Sequence, residues 1–295
     1  MNVFLTGASG YVGGAVADAV QKAGHTVTGL ARSDRSAQQL EGRGIRVLRG
    51  DLTDTDVIAR GARAADGVIH AAATGDANTS DADHGARAAM IAALAGSNKP
   101  FVYTAGLWDM GNTGETPVDE DGPLNPPAIV AWRARAVTEV LAAAGQGIRI
   151  AVIRPGMVYG RGAGAPTSFV QSARQEGAAR VIGDGSNHWS LVDVDDVADL
   201  YVRALEHAPA GTLLLAVAGP AVAVRDIAEA ASRAAGADGR VRAWPLEEAR
   251  QAMGPQADAF ALDQHATAAR ATRLLGWTPH APSVLDQLAQ GSYAG

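Results

Sequence analysis

The sequence predicts an α/β protein: a doubly wound parallel sheet joined by a smaller, discontinuous second lobe. Three observations lead there. Short apolar runs alternate with helical patterns through the first half of the chain, which places parallel strands side by side with helices on both faces. The first run, Val3-Phe4-Leu5, leads through Thr6-Gly7-Ala8-Ser9-Gly10-Tyr11-Val12-Gly13 into a helical pattern. After Arg154 the alternation stops at Pro155-Gly156, Gly160, Gly162, Gly164 and Pro166, a Gly/Pro-rich crossing.

In order along the chain, strands are expected at Asn2–Thr6, Thr26–Ala31, Arg46–Arg49, Gly67–Ala71, Phe101–Thr104 and Arg149–Arg154. Between them the patterns predict helices over Val12–Ala23, Ser36–Glu41, Thr53–Ala62, Asp83–Ala95 and Ala131–Ala144. Gly24 suits a C-cap, and Thr53-Asp54 marks a helix start. Beyond the crossing come a helix at Phe169–Glu176, a helix at Asp195–Glu206 and a strand at Thr212–Ala218 that rejoins the sheet. The tail from Gly219, with Pro220, Pro245, Pro255, Pro279 and Pro282, is more irregular. The expected division is 1–155 plus 191–218 for the sheet domain, and 156–190 plus 219–295 for the smaller lobe. Ligands of such sheets sit beyond the carboxyl ends of the strands, so the second lobe is expected to close a cleft there.

Composition narrows the classes. The chain has 295 residues, 47% of them apolar and 19% charged, and its net charge is −6 with the two signs interspersed. That is enough chain for a full core, and nothing in it suggests nucleic acid. No apolar run approaches a membrane span, and no basic, apolar leader precedes the first strand, which predicts a cytoplasmic protein. Cysteine is absent, which excludes disulfides, thiol catalysis and thiolate metal sites. No His and acid residues share metal-ligand spacing, so no metal is expected.

The loop Gly7–Gly13 has the physics of a pyrophosphate site. Gly7 permits the turn, Gly10 lets backbone approach phosphate, and Gly13 lets helix and strand pack closely. Its spacing is GxxGxxG rather than GxGxxG. The second strand ends in Ala31-Arg32-Ser33, where an NAD site usually carries an acid for the ribose hydroxyls. Here Arg32 and Arg35 supply cations and Ser33 a hydroxyl, which suits a 2′-phosphate and predicts NADP over NAD. A solvated basic loop is the alternative. Asp51-Leu52 offers a carboxylate for an adenine amino group or a helix cap. Ala71, Ala72 and Ala73 are small enough for a cofactor to lie against backbone, and His70 before them is read as a packed strand-end histidine.

Thr6–Gly13, Asp51-Leu52, Val68–Ala72, Tyr103-Thr104-Ala105-Gly106, Arg154–Gly160 and Trp189–Ala198 resemble, in order, blocks of the short-chain dehydrogenase/reductase superfamily. The resemblance is to its extended and atypical branches, the NAD-dependent epimerase/dehydratase group, and covers residues 1 to 205. It implies a Rossmann-type fold and a dinucleotide along Gly7, Ser9, Gly10, Tyr11, Val12 and Gly13, with phosphates on the Tyr11 and Val12 amides. It also implies that Pro155, Gly156, Met157 and Val158 line the nicotinamide carboxamide, and that the Asp83–Ala95 and Ala131–Ala144 helices pair two copies as a homodimer.

The catalytic pattern of that group is broken. Its chemistry rests on a tyrosine with a lysine four residues later, an upstream Ser or Thr, and often an Asn. None of the five tyrosines has such a lysine, and only Lys22 and Lys99 occur. With the register taken from Glu139, Ala131 replaces the tyrosine and Arg135 the lysine. Arg135 can hold a ribose but cannot give up a proton. Gly106 falls at the hydroxyl-bearing position and leaves Thr104 two residues early, where it suits cofactor ribose or a backbone carbonyl. The usual Asn falls at Asp81–Asp83, read as a helix start. Tyr159 is the remaining proton donor, with packing under the second lobe as its alternative role. Trp108, Trp132, Tyr159, His188 and Trp189 are the substrate-side candidates, with Trp108 and Trp132 suited to an aromatic pocket or to the core.

The leading expectation is an NADP-dependent oxidoreductase acting by hydride transfer on a small organic carbonyl, alcohol or imine-like group. Two alternatives stay open: a non-catalytic NADP-binding sensor or structural protein, and a sugar-nucleotide epimerase or dehydratase.

Overall fold

Alternation within the first strand decides where the two layers of the core lie. In the computed structural model, which describes residues 1–290 and 292–293, Val3 and Leu5 of β1 (Asn2–Thr6) point to one face and Phe4 to the other. All three side chains are fully buried. The strands that follow are β2 (Thr26–Ala31), β3 (Arg46–Arg49), β4 (Gly67–His70), β5 (Pro100–Thr104) and β6 (Arg149–Pro155). Their intervening helices are α1 (Tyr11–Lys22), α2 (Asp34–Glu41), α3 (Thr55–Ala64), α4 (Thr79–Leu94) and α5 (Ala131–Ala142). Every boundary predicted for these strands lies within one residue of the observed one.

Past the crossing come β7 (Met157–Gly160), β8 (Ala163–Gly164), α6 (Thr167–Glu176), β9 (Ala179–Ile182), β10 (His188–Trp189) and β11 (Leu191–Asp193). The helix α7 (Val194–His207) and strand β12 (Thr212–Ala216) then rejoin the sheet, as expected. The tail holds β13 (Val222–Ala223), α8 (Val224–Ala234), β14 (Val241–Trp244), α9 (Leu246–Met253), α10 (Gln256–Phe260), α11 (Ala269–Leu275) and α12 (Val284–Gln290).

The central sheet has seven parallel strands in the order β12-β6-β5-β4-β1-β2-β3. The winding reverses between β1 and β4, and this switch point opens a crevice at the carboxyl ends of the strands. One face buries α1, α2 and α7, the other α3, α4 and α5. The small lobe has its own apolar cluster, which joins Phe169 and Val170 of α6, Ile227 and Ala231 of α8, and Val284 and Leu288 of α12. Among the described residues no helix is long and apolar enough to cross a membrane.

The expected domain division needs one correction. Residues 269–277, placed with the small lobe by sequence, pack on the sheet domain. Ala271, Leu275 and Trp277 belong to the same cluster as α1 and α7, and the Trp277 indole donates to the Asp196 carbonyl at 2.9 Å. A fully buried indole next to a long amphipathic helix overrides the irregular texture of the tail.

Candidate active site

Two clefts run along the carboxyl ends of the strands. The first, about 350 Å3, is bounded by Gly7, Ser9 and Gly10 after β1, Arg32, Ser33 and Arg35 after β2, Asp51 and Leu52 after β3, and Ala71–Ala73 after β4. The sequence expectations for this side therefore converge on one place. Gly10 is the N-cap of α1 and offers no side-chain cap, so the first-turn N–H groups stay open to an anion. The turn has no room for a side chain at Gly7 or Gly13. Gly7 has φ +84° and a Cβ there would lie 2.5 Å from the Ala71 carbonyl oxygen, while one at Gly13 would lie 2.1 Å from the Gly7 carbonyl oxygen. The exposed Arg32 and Arg35 have no carboxylate at ion-pair distance among the described residues, whereas Arg49 is bound to Asp34 at 2.6 Å. Asp51 accepts from the Thr53 amide and hydroxyl, and these bonds, with the Arg32 charge beyond them, hold its carboxyl below the usual range. Backbone amides, a bare helix start and free guanidinium groups are donors that suit the phosphates of a dinucleotide.

Tyr11 and Val12 start α1, and the Tyr11 phenol reaches across to the small lobe, donating to the Gly160 carbonyl at 2.9 Å.

The second cleft, about 510 Å3, lies beyond the carboxyl ends of β5 and β6. Gly106, Leu107 and Trp108 form one wall, Pro155, Gly156, Met157 and Val158 another, and Ser168, Gln171 and Phe260 come from the small lobe. Trp108 meets Phe260 edge to face at 5.5 Å. The cation in this cleft is Arg133, half-buried, stacked 5.1 Å above the Trp132 ring and without a carboxylate at ion-pair distance among the described residues. A Cβ at Gly106 would come within 3.1 Å of its guanidinium, so glycine makes room for the arginine.

Three catalytic candidates fall elsewhere. Arg135 points outward: its side chain is 86% exposed and donates to Glu139 at 2.8 Å, one turn along α5. The core positions Ala136, Val137 and Val140 fix the inner face, which Arg133 shares and Arg135 does not. Tyr159 is 3% exposed in the small-lobe cluster, and its hydroxyl donates to the Pro282 carbonyl at 2.9 Å, so it has the packing role. The Thr104 hydroxyl pairs with that of the fully buried Tyr201 at 2.7 Å, because a buried phenol requires a partner.

Among the substrate-side candidates, Trp108 lines the cleft. Trp132 packs against the α4/α5 side of the core, Trp189 is buried in the small lobe, and His188 lies outside the cleft walls. His188 does join residues that sequence spacing keeps apart: Asp263 accepts from its backbone amide at 2.7 Å, and His265 stands 3.5 Å from the same oxygen.

A model of the NAD dependent epimerase/dehydratase family matches residues 3–215 of the chain. The chain belongs to this family. An uncharacterized protein of Saccharomyces cerevisiae is 31% identical over 298 residues, spanning 98% of both chains. A ketoreductase of Stigmatella aurantiaca, acting on a 4-hydroxy-2-methyl-3-oxo-4-farnesyl-3,4-dihydroquinoline-1-oxide, is 26% identical across 89% of this chain and 84% of its own. In fold the chain is similar to a UDP-glucuronic acid 4-epimerase of Bacillus cereus solved with UDP-glucuronic acid and NAD. That likeness has a TM-score of 0.83 at 18% identity, over 100% of this chain and 99% of that one.

This family member surrounds its clefts with buried charge. Asp83, read from sequence as part of a helix start, lies inside α4, which begins at Thr79; Asp81 occupies the first turn instead. Its carboxylate accepts from Tyr103 at 3.0 Å, from Arg87 at 3.0 Å and from His70 Nε2 at 3.2 Å. Since a carboxylate only accepts, His70 Nε2 carries a proton towards Asp83, and its Nδ1 lies 2.7 Å from the Thr6 hydroxyl. His70 is thus the packed histidine expected.

Behind the Trp108 wall, Asp109 is fully buried 3.4 Å from Arg154, with no hydrogen bond to either oxygen. Burial pushes its carboxyl up to about 6, against the pull of Arg133 and Arg154. A folded-state value above the unfolded one means that this group's contribution is complete below pH 3.8 and is lost as pH rises through about 6. Between pH 4 and 7 the expected loss is at most about 3 kcal/mol. Urea unfolding of wild type and Asp109→Asn across that window checks it: the variant should lack the wild-type decline, and an identical slope would refute the assignment.

Proposed function

We propose that the protein is an NADP-dependent oxidoreductase that reduces a small organic carbonyl, or reversibly oxidises the corresponding alcohol. One observation carries this reading: an unpaired guanidinium, Arg133, in a largely apolar cleft beside the Pro155–Val158 segment. The family is NAD-dependent, and Arg32 and Arg35, free of carboxylates, favour the cofactor that bears a 2′-phosphate. The ketoreductase relative supports a carbonyl substrate.

A reduced nicotinamide bound along this crevice supplies the hydride. The residues of the chain do the rest. Trp108, Met157 and Phe260 exclude water from one side of the carbonyl, which strengthens every charge interaction in the cleft. Arg133 holds the carbonyl oxygen through charge-assisted hydrogen bonds as negative charge develops there. It keeps its own protons, so the alkoxide takes one from solvent at the open end of the cleft.

Mixing the protein with NADPH and a panel of aldehydes and ketones should give cofactor oxidation with at least one member. Confirmed NADPH binding with no turnover of any carbonyl would favour the non-catalytic reading instead. Arg133→Leu should lower kcat/KM by about 10²- to 10³-fold, mostly in kcat, with Arg133→Lys recovering part of it. Equal activity in wild type and Arg133→Leu would remove the arginine from the reaction. The double variant Arg32→Ala, Arg35→Ala should weaken NADPH by roughly 10- to 100-fold and leave NADH nearly unchanged. Parallel losses for both cofactors in a fluorescence titration would contradict the 2′-phosphate assignment.

A further inference from the structure

A second cavity of about 180 Å3 adjoins the cleft inside the small lobe and shares Ser168 and Phe260 with it. Seven elements build it, β9 contributing Arg180 and Ile182. Phe169 comes from α6, Trp189 from β10, Val224 from α8, Trp244 from β14 and Met253 from α9, with Phe260 of α10 at the junction. Phe169 and Trp189 stack at 5.7 Å with 19° between their planes, and Trp189 meets Phe260 at 5.9 Å.

Most polar groups of this cavity are engaged with the protein itself; the exceptions are the Ser168 hydroxyl at its mouth and Arg180 Nε, which is buried without a hydrogen bond. The Trp189 indole donates to the Phe260 carbonyl at 3.2 Å, and the Asn187 amide donates to the Phe260 and Leu262 carbonyls. The Ser172 hydroxyl donates to the Ser168 and Phe169 carbonyls and accepts from the Arg180 amide. The Arg180 guanidinium lies over the Trp244 ring at 4.3 Å, with Glu176 at 3.4 Å. A nucleotide base or a sugar needs matched donors and acceptors, and a diphosphate needs free cations; these walls give mainly aromatic and aliphatic surface. A dry apolar cavity of about 150 Å3 takes up benzene, so this one suits a phenyl ring or a chain of roughly six carbons.

We propose that this cavity receives an apolar tail of the substrate, so that the preferred carbonyl compounds carry a phenyl or medium-length alkyl group. The assignment rests on the carbonyl-reductase reading and adds the substrate class to it. The carbonyl lies beside Arg133 and the tail passes Ser168 and Phe260 into the small lobe.

The test has two arms. In the first, kcat/KM with NADPH is measured for straight-chain aldehydes of three to nine carbons. It should rise about three- to four-fold per added methylene until the cavity is full. Val224→Phe and Met253→Trp fill the cavity from two different helices, α8 and α9, and each should flatten that rise. In the second arm, iodobenzene should quench tryptophan fluorescence saturably in the full chain without cofactor, and less so in both filled variants. Two fillings from different helices guard against a variant that simply fails to fold. Turnover without chain-length preference, together with linear quenching, would overturn the tail site and leave the reductase reading standing. Saturable quenching that the fillings abolish, with no carbonyl turned over, would overturn the reductase reading and the carbonyl-borne tail with it.

Discussion

Replacing Asp83 with alanine is expected to destabilise the protein by about 3–5 kcal/mol, the range for breaking a buried ion pair from one side. The carboxylate is 5% exposed and is the common acceptor of His70, Tyr103 and Arg87. Its removal leaves the His70 N–H and the Tyr103 hydroxyl without partners in the layer between β4, β5 and α4. Arg87 keeps Glu139 at 2.5 Å. Burial pushes the Asp83 carboxyl up, but bonds from His70 and Tyr103 and the Arg87 charge bring it below the usual range. A lowered folded-state value stabilises above the ordinary carboxylate pKa, and that stability is lost as pH falls through the folded value. Asp83 and Asp109 therefore impose opposite pH slopes. Urea titrations at several pH values should show Asp83→Asn losing less than Asp83→Ala; a loss under 1 kcal/mol for the alanine variant would refute the hub role.

Gly13→Ala is expected to lower cofactor affinity by at least about 100-fold and to cost roughly 1–3 kcal/mol in stability. The added Cβ would meet the Gly7 carbonyl carbon and oxygen at 2.6 and 2.1 Å, and both are backbone atoms that cannot turn aside. The Gly7–Gly13 turn must open to admit the methyl group. Gly24→Ala is the control. Gly24 has φ +84° but no atom within 4 Å of where the methyl group would stand, so the substitution should cost about 1 kcal/mol of backbone strain without touching the cofactor. NADPH titration of the two variants separates lost space from strained backbone. Similar affinities would show that close helix–strand packing does not shape the site.

Most of the sheet was legible because each strand is an apolar run bounded by breakers, and every such run between Asn2 and Pro155 became a strand. The grouping of residues around the first cleft was legible for a related reason: they follow strands directly, so their position needs no knowledge of distant packing. The second cleft was harder. Aligning Glu139 with a family position selected Arg135, but the apolar positions Ala136, Val137 and Val140 were visible in sequence and already place residue 133 on the inner face. Helical period was the better guide there than motif register. Nothing local announced Phe260, which reaches the cleft from a short helix more than 100 residues after β6, nor the return of Trp277 to the sheet domain. Tyr159 was misplaced for a different reason. Its backbone adjoins the cleft, but its side chain points the other way, to Pro282.

The Tyr11 phenol has a thermodynamic meaning beyond its hydrogen bond. It leaves the first residue of α1 and ends on the Gly160 carbonyl, while Arg161 next to that glycine reaches back to Asp18 at 2.8 Å and Asp195 at 2.5 Å. Swinging the small lobe away from the sheet breaks these ties together, at about 1 kcal/mol for the phenol and less for the exposed pairs. A dinucleotide that favours one seating of α1 therefore favours one seating of the lobe. By reciprocity, a substrate that draws the lobe inward tightens the dinucleotide by the same factor, so the two binding events are linked before any chemistry begins.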